Sequence, residues 1–304
     1  MPTGQCRLCQ SEAELQLSHV LPAFAFRWLR SSSGNGHIRT SDEPNRRVQD
    51  GLKLYWLCSR CEELLSVSEG EFANKLFLPY TNGTKQSVRY SSWLMHFCTS
   101  LSWRVLRFYL EQDGRDDWSA ESLARIREAE KAWREVLLRQ RPHAGRLQQH
   151  MLPMDRIEST AGAGGLAPNI NRYLMRAIHM DLLHSGDAIY TYAKLGRFIV
   201  LGFVHEPRQE RWQGTKVHAT EGVIEPRKYA VPGALRDYLN EKATRMADAL
   251  GSMSQVQHAK VDQAFRGNID RYVKSDAFAA MSADVEMFGA AAFSARSDAD
   301  GEAI

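Results

Sequence analysis

Two Cys-x-x-Cys pairs, Cys6/Cys9 and Cys58/Cys61, constrain this chain more than any other feature. A Cys-x-x-Cys turn lets two thiolates converge on one ion, and two such turns supply the four-sulfur shell that zinc takes in closed structural sites. Forty-eight residues separate the pairs, so a long excursion must leave one knuckle and return to the other. A redox pair, or four unrelated thiols, are the other readings of such cysteines. The segment they bracket is too small to bury enough surface alone, so metal-binding energy would become folding energy. Cys98 stands apart on an apolar helical stripe and reads as core.

A chain of 304 residues with 43% apolar content can build a real core. Its net charge of +3 is too small to define a partner by itself, so a nucleic-acid partner would have to be met by a local basic patch. The opening "MPTGQCRLCQ" lacks a signal-peptide core, and "FIVLGFV" at 198 to 204 is too short to span a bilayer. The expectation is a cytoplasmic protein with no membrane partner, in which cysteines serve metal binding or burial rather than disulfides.

The fold class expected is α+β. Residues 1–80 form a small zinc-bound domain with strands "ELQLSHV" and "LKLYWL", polar loops between them, and a helix opening near Glu62. Residues 81–295 are mainly helical with a small antiparallel sheet, and 296–304 read as a disordered tail. Leu94, Phe97, Cys98, Leu101, Val105 and Phe108 fall three and four apart, one stripe of a long helix. A second helix is capped by Ser119. The stretch "INRYLMRAIHMDLLHSG" predicts a further helix, "AIYTYAKLGRFIVLGFV" two strands broken near Gly196, and "KVHATEGVIEP" more extended chain in the same sheet. Helices resume from Pro232. The glycine-rich "STAGAGGLAPN" at 159 to 169 is a loop without phosphate-binding spacing. Tyr190, Tyr192 and Trp212 read as core rather than base-stacking residues. Histidines 179, 184, 205 and 218 have no ligand spacing.

Between the knuckles lies "LQLSHVLPAF", where His19 ends a short apolar run and Pro22 follows. Joining the knuckles brings the strand carrying His19 beside "LKLYWL", with the helix after Cys58 across both. This arrangement, Cys6 and Cys9, then "SHVLP", then "LCSRCEELLS" with Cys58 and Cys61, resembles the HNH endonucleases of the His-Me finger group, in particular those pinned by a Cys-x-x-Cys on each side of the histidine. The likeness covers the first quarter of the chain. It implies a treble-clef-like ββα domain in which His19 is the general base and a divalent cation, magnesium or manganese, stabilises the phosphorane and leaving oxygen. Structural zinc would sit in the four sulfurs. The chain departs from the family's pattern at Ser18, at Lys53 and at Glu62. Glu62 can still offer a carboxylate to a hard cation, and Asn45, Gln49 and Asp50 in "PNRRVQDGLK" can replace missing polar groups. Arg46, Arg47, Lys53 and Arg60 can hold phosphates without reading bases, whereas Glu69 and Glu71 read as surface residues.

The function expected is a metal-dependent endonuclease cutting nucleic acid, with double-stranded DNA as the family's usual substrate and phage defence or restriction as one context. Residues 81–295 would recognise substrate, a protein partner or a second copy of the chain. The alternative is a degenerate zinc module that binds nucleic acid or protein without cleavage. A thiol switch built on the Cys-x-x-Cys pairs is a third reading.

Overall fold

The computed structural model describes residues 1–34, 36–112, 118–158 and 165–293. The expected tail at 296–304, and residues 159–164 of the glycine-rich loop, lie outside them. In chain order the first elements are β1 (Thr3–Gln5), β2 (Glu12–His19), α1 (Ala23–Ser31), β3 (Ile38–Arg39), β4 (Arg47–Val48), β5 (Lys53–Cys58) and α2 (Ser59–Phe72). Next come α3 (Leu78–Thr81), β6 (Val88–Ser91), α4 (Ser92–Glu111), α5 (Ala120–Leu137), β7 (Gln149–Pro153) and α6 (Ile170–Arg176). The remainder is β8 (Ile178–Ser185), β9 (Ala188–Leu195), β10 (Phe198–His205), β11 (Glu221–Ile224), α7 (Gly233–Gly251), α8 (Gln255–Arg266), α9 (Ile269–Val273) and α10 (Asp276–Phe288).

The contacts divide the chain into two units, each assembled from three stretches. The first holds Met1–Phe24, Gly51–Pro153 and Ile178–Val231; the second holds Ala25–Asp50, Met154–Ala177 and Pro232–Ile304. Residues 1–80 therefore contribute to both.

In the first unit, β2 pairs antiparallel with β5 and with β1, giving the order β1-β2-β5, and α2 packs on β2 and β5. The excursion between knuckles leaves after β2 and returns into β5, as the spacing of the cysteines requires. A four-stranded antiparallel sheet, β7-β10-β9-β8, is the second layer. Helix α4 packs on this sheet and on α2 and α5. The expected single stripe on α4 is too narrow: Trp93, Leu94, Phe97, Leu101, Trp103 and Leu106 are all buried, around most of the helix circumference. Sandwiching between layers accounts for this, because a helix covered on several sides has no solvent face to keep polar. At Gly202 the sheet has no side chain to offer: a Cβ there would lie 2.5 Å from the Ser102 hydroxyl, so glycine lets α4 come close. Phe72 and Phe97 stack at 3.9 Å between ring centres, and Phe198 meets Phe72 edge-on at 5.5 Å.

Two expectations are corrected in this unit. The helix predicted across 170–186 ends at Arg176, and the following residues form β8, which returns into β9 through a tight hairpin at Gly186 (φ 63°). Strand β11 joins β6 in a separate two-stranded ribbon rather than the larger sheet. Other expectations hold: β9 and β10 meet at Gly196, Ser119 accepts the Ser122 N–H at 3.1 Å, and Tyr190, Tyr192 and Trp212 are core.

The second unit contains the short ribbon β3/β4 and the helices α6 to α10. Asp284 of α10 is fully buried and accepts the main-chain N–H groups of Asn171 (2.7 Å) and Arg172 (3.1 Å) and the Arg172 guanidinium (2.9 Å), which fixes α10 to the start of α6. Among the described residues no helix is long and apolar enough to cross a membrane.

Candidate functional site

Each half of the cysteine cluster is built by local backbone geometry. In the first knuckle the Cys6 N–H donates to Ser11 O (2.9 Å) and the Gln10 N–H to Cys6 O (2.8 Å), closing the turn with Gln10 at φ 65°. The Arg7 N–H donates to Trp56 O at 2.8 Å, tying this knuckle to β5. In the second knuckle Cys58 ends β5 and opens α2, so Cys61 lies on the first helical turn. A register shift between Gln16 and Leu17 gives β5 one extra residue, Trp56. The bulge lets the Trp56 carbonyl reach Arg7 while its indole donates to Glu111 at 2.8 Å.

The four sulfurs all lie within 4.8 Å of one another, and Cys9 and Cys58 are 3.8 Å apart. Sulfur ligands at ~2.3 Å from a tetrahedral ion would be spaced about 3.8 Å, so the spacing suits one metal. The Cys58 N–H points at the Cys6 sulfur (3.4 Å). The Cys61 thiol donates to Cys6 and holds the Cys6 thiol well below its ordinary range, while the same shared proton pushes Cys61 up. Four thiolates this close repel one another, and a divalent cation removes that repulsion. All five cysteines are free of disulfides, and Cys98 is buried in the core as expected. Among the described residues the cysteines are the one group of three or more potential metal-ligating side chains; histidines 179, 184, 205 and 218 join no such group.

His19 is the last residue of β2, half-buried, and stands opposite Lys53 in the β2–β5 register. The preceding Ser18 is buried and donates to Gln16 O at 3.3 Å. Next to this strand end is a residue the sequence reading passed over. Arg104 of α4, 4% exposed in its side chain, forms an ion pair with Glu69 of α2 and reaches the His19 carbonyl at 3.5 Å. Glu69 is thus not a plain surface residue, because it neutralises a buried guanidinium. The signal was present: Arg104 stands in "SWRVLRF" with no acidic residue one turn away on the same helix, so a buried position demands a partner from elsewhere.

Glu62 lies on the first turn of α2, next to Cys61, and its Oε1 is buried without a hydrogen-bond partner. Arg60 is exposed on the same turn. Asn45, Arg46, Arg47 and Asp50 belong to the second unit. There, Asn45 Oδ1 accepts the Ser254 N–H (2.8 Å) and Arg46 pairs with Glu43 (3.1 Å).

Comparison of the chain with protein families, with curated proteins and with solved structures finds no match.

Proposed function

We propose that the chain is a metal-dependent phosphodiester hydrolase of HNH type, in which the four cysteines hold structural zinc and His19 is the general base. The observation that carries this reading is the thiol cluster, which joins two knuckles around an antiparallel strand pair and the helix that follows. An all-sulfur, tetrahedrally spaced shell suits zinc and leaves no open position, so any chemistry needs another centre. The histidine at the end of β2 is the candidate for that centre.

In the reaction His19 accepts a proton from water as the water oxygen attacks phosphorus. The P–O bond to the leaving sugar oxygen breaks, and that oxygen is protonated in turn. A magnesium or manganese ion, when bound, supplies charge stabilisation at the phosphoryl oxygens. Glu62 fits a ligand role, since its buried carboxylate oxygen lacks a hydrogen-bond partner. Magnesium commonly takes only one or two carboxylates and completes its shell with water and phosphate. Lys53, opposite His19, and Arg60 would attract the substrate's phosphates. The substrate is nucleic acid, with duplex DNA the first to test, and phage defence or restriction is a fitting context.

The second reading is a zinc-bound module that holds nucleic acid or a protein without cutting. What favours it is Ser18, which turns its hydroxyl back to its own strand, and Lys53, a cation directly across from the imidazole.

Incubating supercoiled plasmid with the protein and magnesium or manganese tests both. The hydrolase reading expects nicking by the wild type, loss of at least about a hundredfold in His19→Ala, and one zinc per chain in both proteins. No nicking with either metal by zinc-loaded wild type overturns it in favour of the binding module.

A further inference from the structure

We infer that the β3/β4 ribbon of the second unit is a binding site for a phosphodiester backbone, built by Arg39 and Arg47 with His37 and Arg271. The inference rests on the reading of this chain as one that acts on nucleic acid, and it adds a surface apart from the residues around His19.

The ribbon's register sets Arg39 directly opposite Arg47. Two like charges facing each other across antiparallel strands destabilise the pairing, and among the described residues no carboxylate pairs with either. Arg39, half-buried, donates to the Pro44 carbonyl (2.8 Å) and to the Gln257 side-chain oxygen (2.9 Å), both neutral. Arg47, exposed, is 3.1 Å from the His37 Nε2. From α9 the Arg271 guanidinium approaches Gly36, coming within 3.8 Å of where a Cβ would stand. Among the described residues, Arg39, Arg47 and Arg271 form no ion pair. Arg46 behaves differently, since Glu43 neutralises it.

The titration behaviour agrees with a surplus of positive charge. Burial and then the Arg47 and Arg39 charges keep His37 below the usual imidazole range, and Arg39 itself is lowered by burial and by Arg47. A bound oxyanion relieves all of these. Guanidinium forks bind phosphate oxygens in pairs, and cations gathered from the ribbon and from α9 suit a ligand that repeats its negative charge along a chain.

The test measures binding of a fluorescein-labelled 20-base-pair DNA by anisotropy, in magnesium-free buffer across a range of salt concentrations. Cleavage plays no part in this measurement, so a protein that never nicks plasmid can still pass or fail it. Arg39→Gln/Arg47→Gln should weaken binding about tenfold and reduce the log–log salt slope by about 2, since each neutralised phosphate contributes roughly 0.9. Arg271→Gln should weaken binding several-fold; this side chain is exposed and forms no hydrogen bond or ion pair among the described residues, so its loss cannot act through the fold. Unchanged affinity and slope in Arg271→Gln and in a normally folded double variant would overturn the inference. In a second arm, inorganic phosphate is titrated at constant ionic strength. Backbone recognition predicts only millimolar competition; variants that lose phosphate binding while keeping full affinity for the duplex also overturn it.

Discussion

The two units are held together by different physics. In the first, large aromatic rings meet face and edge around Phe72, Phe97 and Phe198, and four thiols close the end of the strand pair. The second buries fewer rings, Trp28 and Tyr173, along with Ile170, Leu174, Leu235, Leu239 and the small Ala243, Ala280 and Ala283. Its order comes from charged side chains that bond outward from buried positions. Asp284 takes three hydrogen bonds from the start of α6, and Arg176 lies over the Trp28 ring (5.2 Å) while donating to Leu29 O (3.0 Å) and Ser32 Oγ (3.1 Å). Apolar burial scales with area and tolerates small errors, whereas a buried charge demands that every bond be made. One unit should therefore answer chiefly to its ligand, and the other to the completeness of its bonds.

Removing a metal held by the four cysteines would give the largest effect. Apparent zinc energies reach about 10–16 kcal/mol in isolated finger peptides, but here the adjoining aromatic core retains part of the fold. Loss of roughly 3–5 kcal/mol is expected for Cys61→Ser or for chelated wild type, a fall of about 10 °C in Tm for a unit of this size. Six of the seven tryptophans (Trp56, Trp93, Trp103, Trp118, Trp133 and Trp212) lie in the first unit and only Trp28 in the second, so fluorescence reads the first unit almost alone. Chelation that leaves both tryptophan emission and Tm unchanged breaks the contrast at its strongest point.

Acid offers the next test, because one buried residue of each unit should respond with opposite sign. In the first unit His150 is buried, stacked on Phe203 (3.9 Å) and 2.7 Å from Thr215 Oγ1, and burial pushes its pKa down to about 3. The unfolded chain protonates this imidazole near 6.5 and the folded one does not, so stability present above that pH is lost as pH falls, by about 1.4 kcal/mol per unit. In the second unit burial outweighs the bonds to Asn171 and Arg172 and raises Asp284. Its folded form binds the proton more tightly than the unfolded one, so this residue gains stability as pH falls from neutral toward the ordinary aspartate range near 3.9. His150→Gln should flatten the loss of stability in denaturant titrations between about pH 6.5 and 4.5, and Asp284→Asn should remove the opposing gain. The His150 variant also separates this effect from acid release of metal, which both proteins share. An unaltered pH slope in His150→Gln rules out the imidazole as the source.

What the sequence disclosed follows the same division between local and distant causes. The cysteine pairs, the strands β2 and β5, the cap at Ser119 and the turn at Gly196 are written in neighbouring residues, and all appear as expected. Strand β8 was hidden because Leu174, Ile178 and Leu182 fall four apart, a helical spacing, while the hairpin partner that overrides it begins at Ala188. Strand β7 carries no alternation, since all five residues of "QHMLP" are buried, and it became legible only once β10 paired with it. The Arg104–Glu69 pair and the facing arginines of β3/β4 depend on contacts no local pattern records. Of the residues named around His19, spacing alone sufficed for the four cysteines. The polar groups expected from proximity in "PNRRVQDGLK" belong mostly to the other unit.

The smallest effect is one in which the contrast should vanish. Each unit contains a long helix started by a serine: Ser119 accepts the Ser122 N–H at 3.1 Å before α5, and Ser254 accepts the Gln257 N–H at 3.4 Å before α8. Such a cap satisfies one amide that the first helical turn leaves unpaired, and this requirement is the same whatever packs elsewhere in the unit. Replacing either serine by alanine should cost about 1 kcal/mol, a Tm shift of a few degrees. The α8 cap has one additional tie, because the Ser254 N–H donates to Asn45 Oδ1; alanine keeps that main-chain bond, so equality is still expected. Asn45→Ala removes it and should add a similar increment to Ser254→Ala. Matching losses for the two serines would confine the difference between the units to their cores. If Ser254→Ala instead costs several times more than Ser119→Ala, the second unit depends on its helix ends as well as on its buried charges, and the division drawn between ligand-held and bond-held cores has to include the caps.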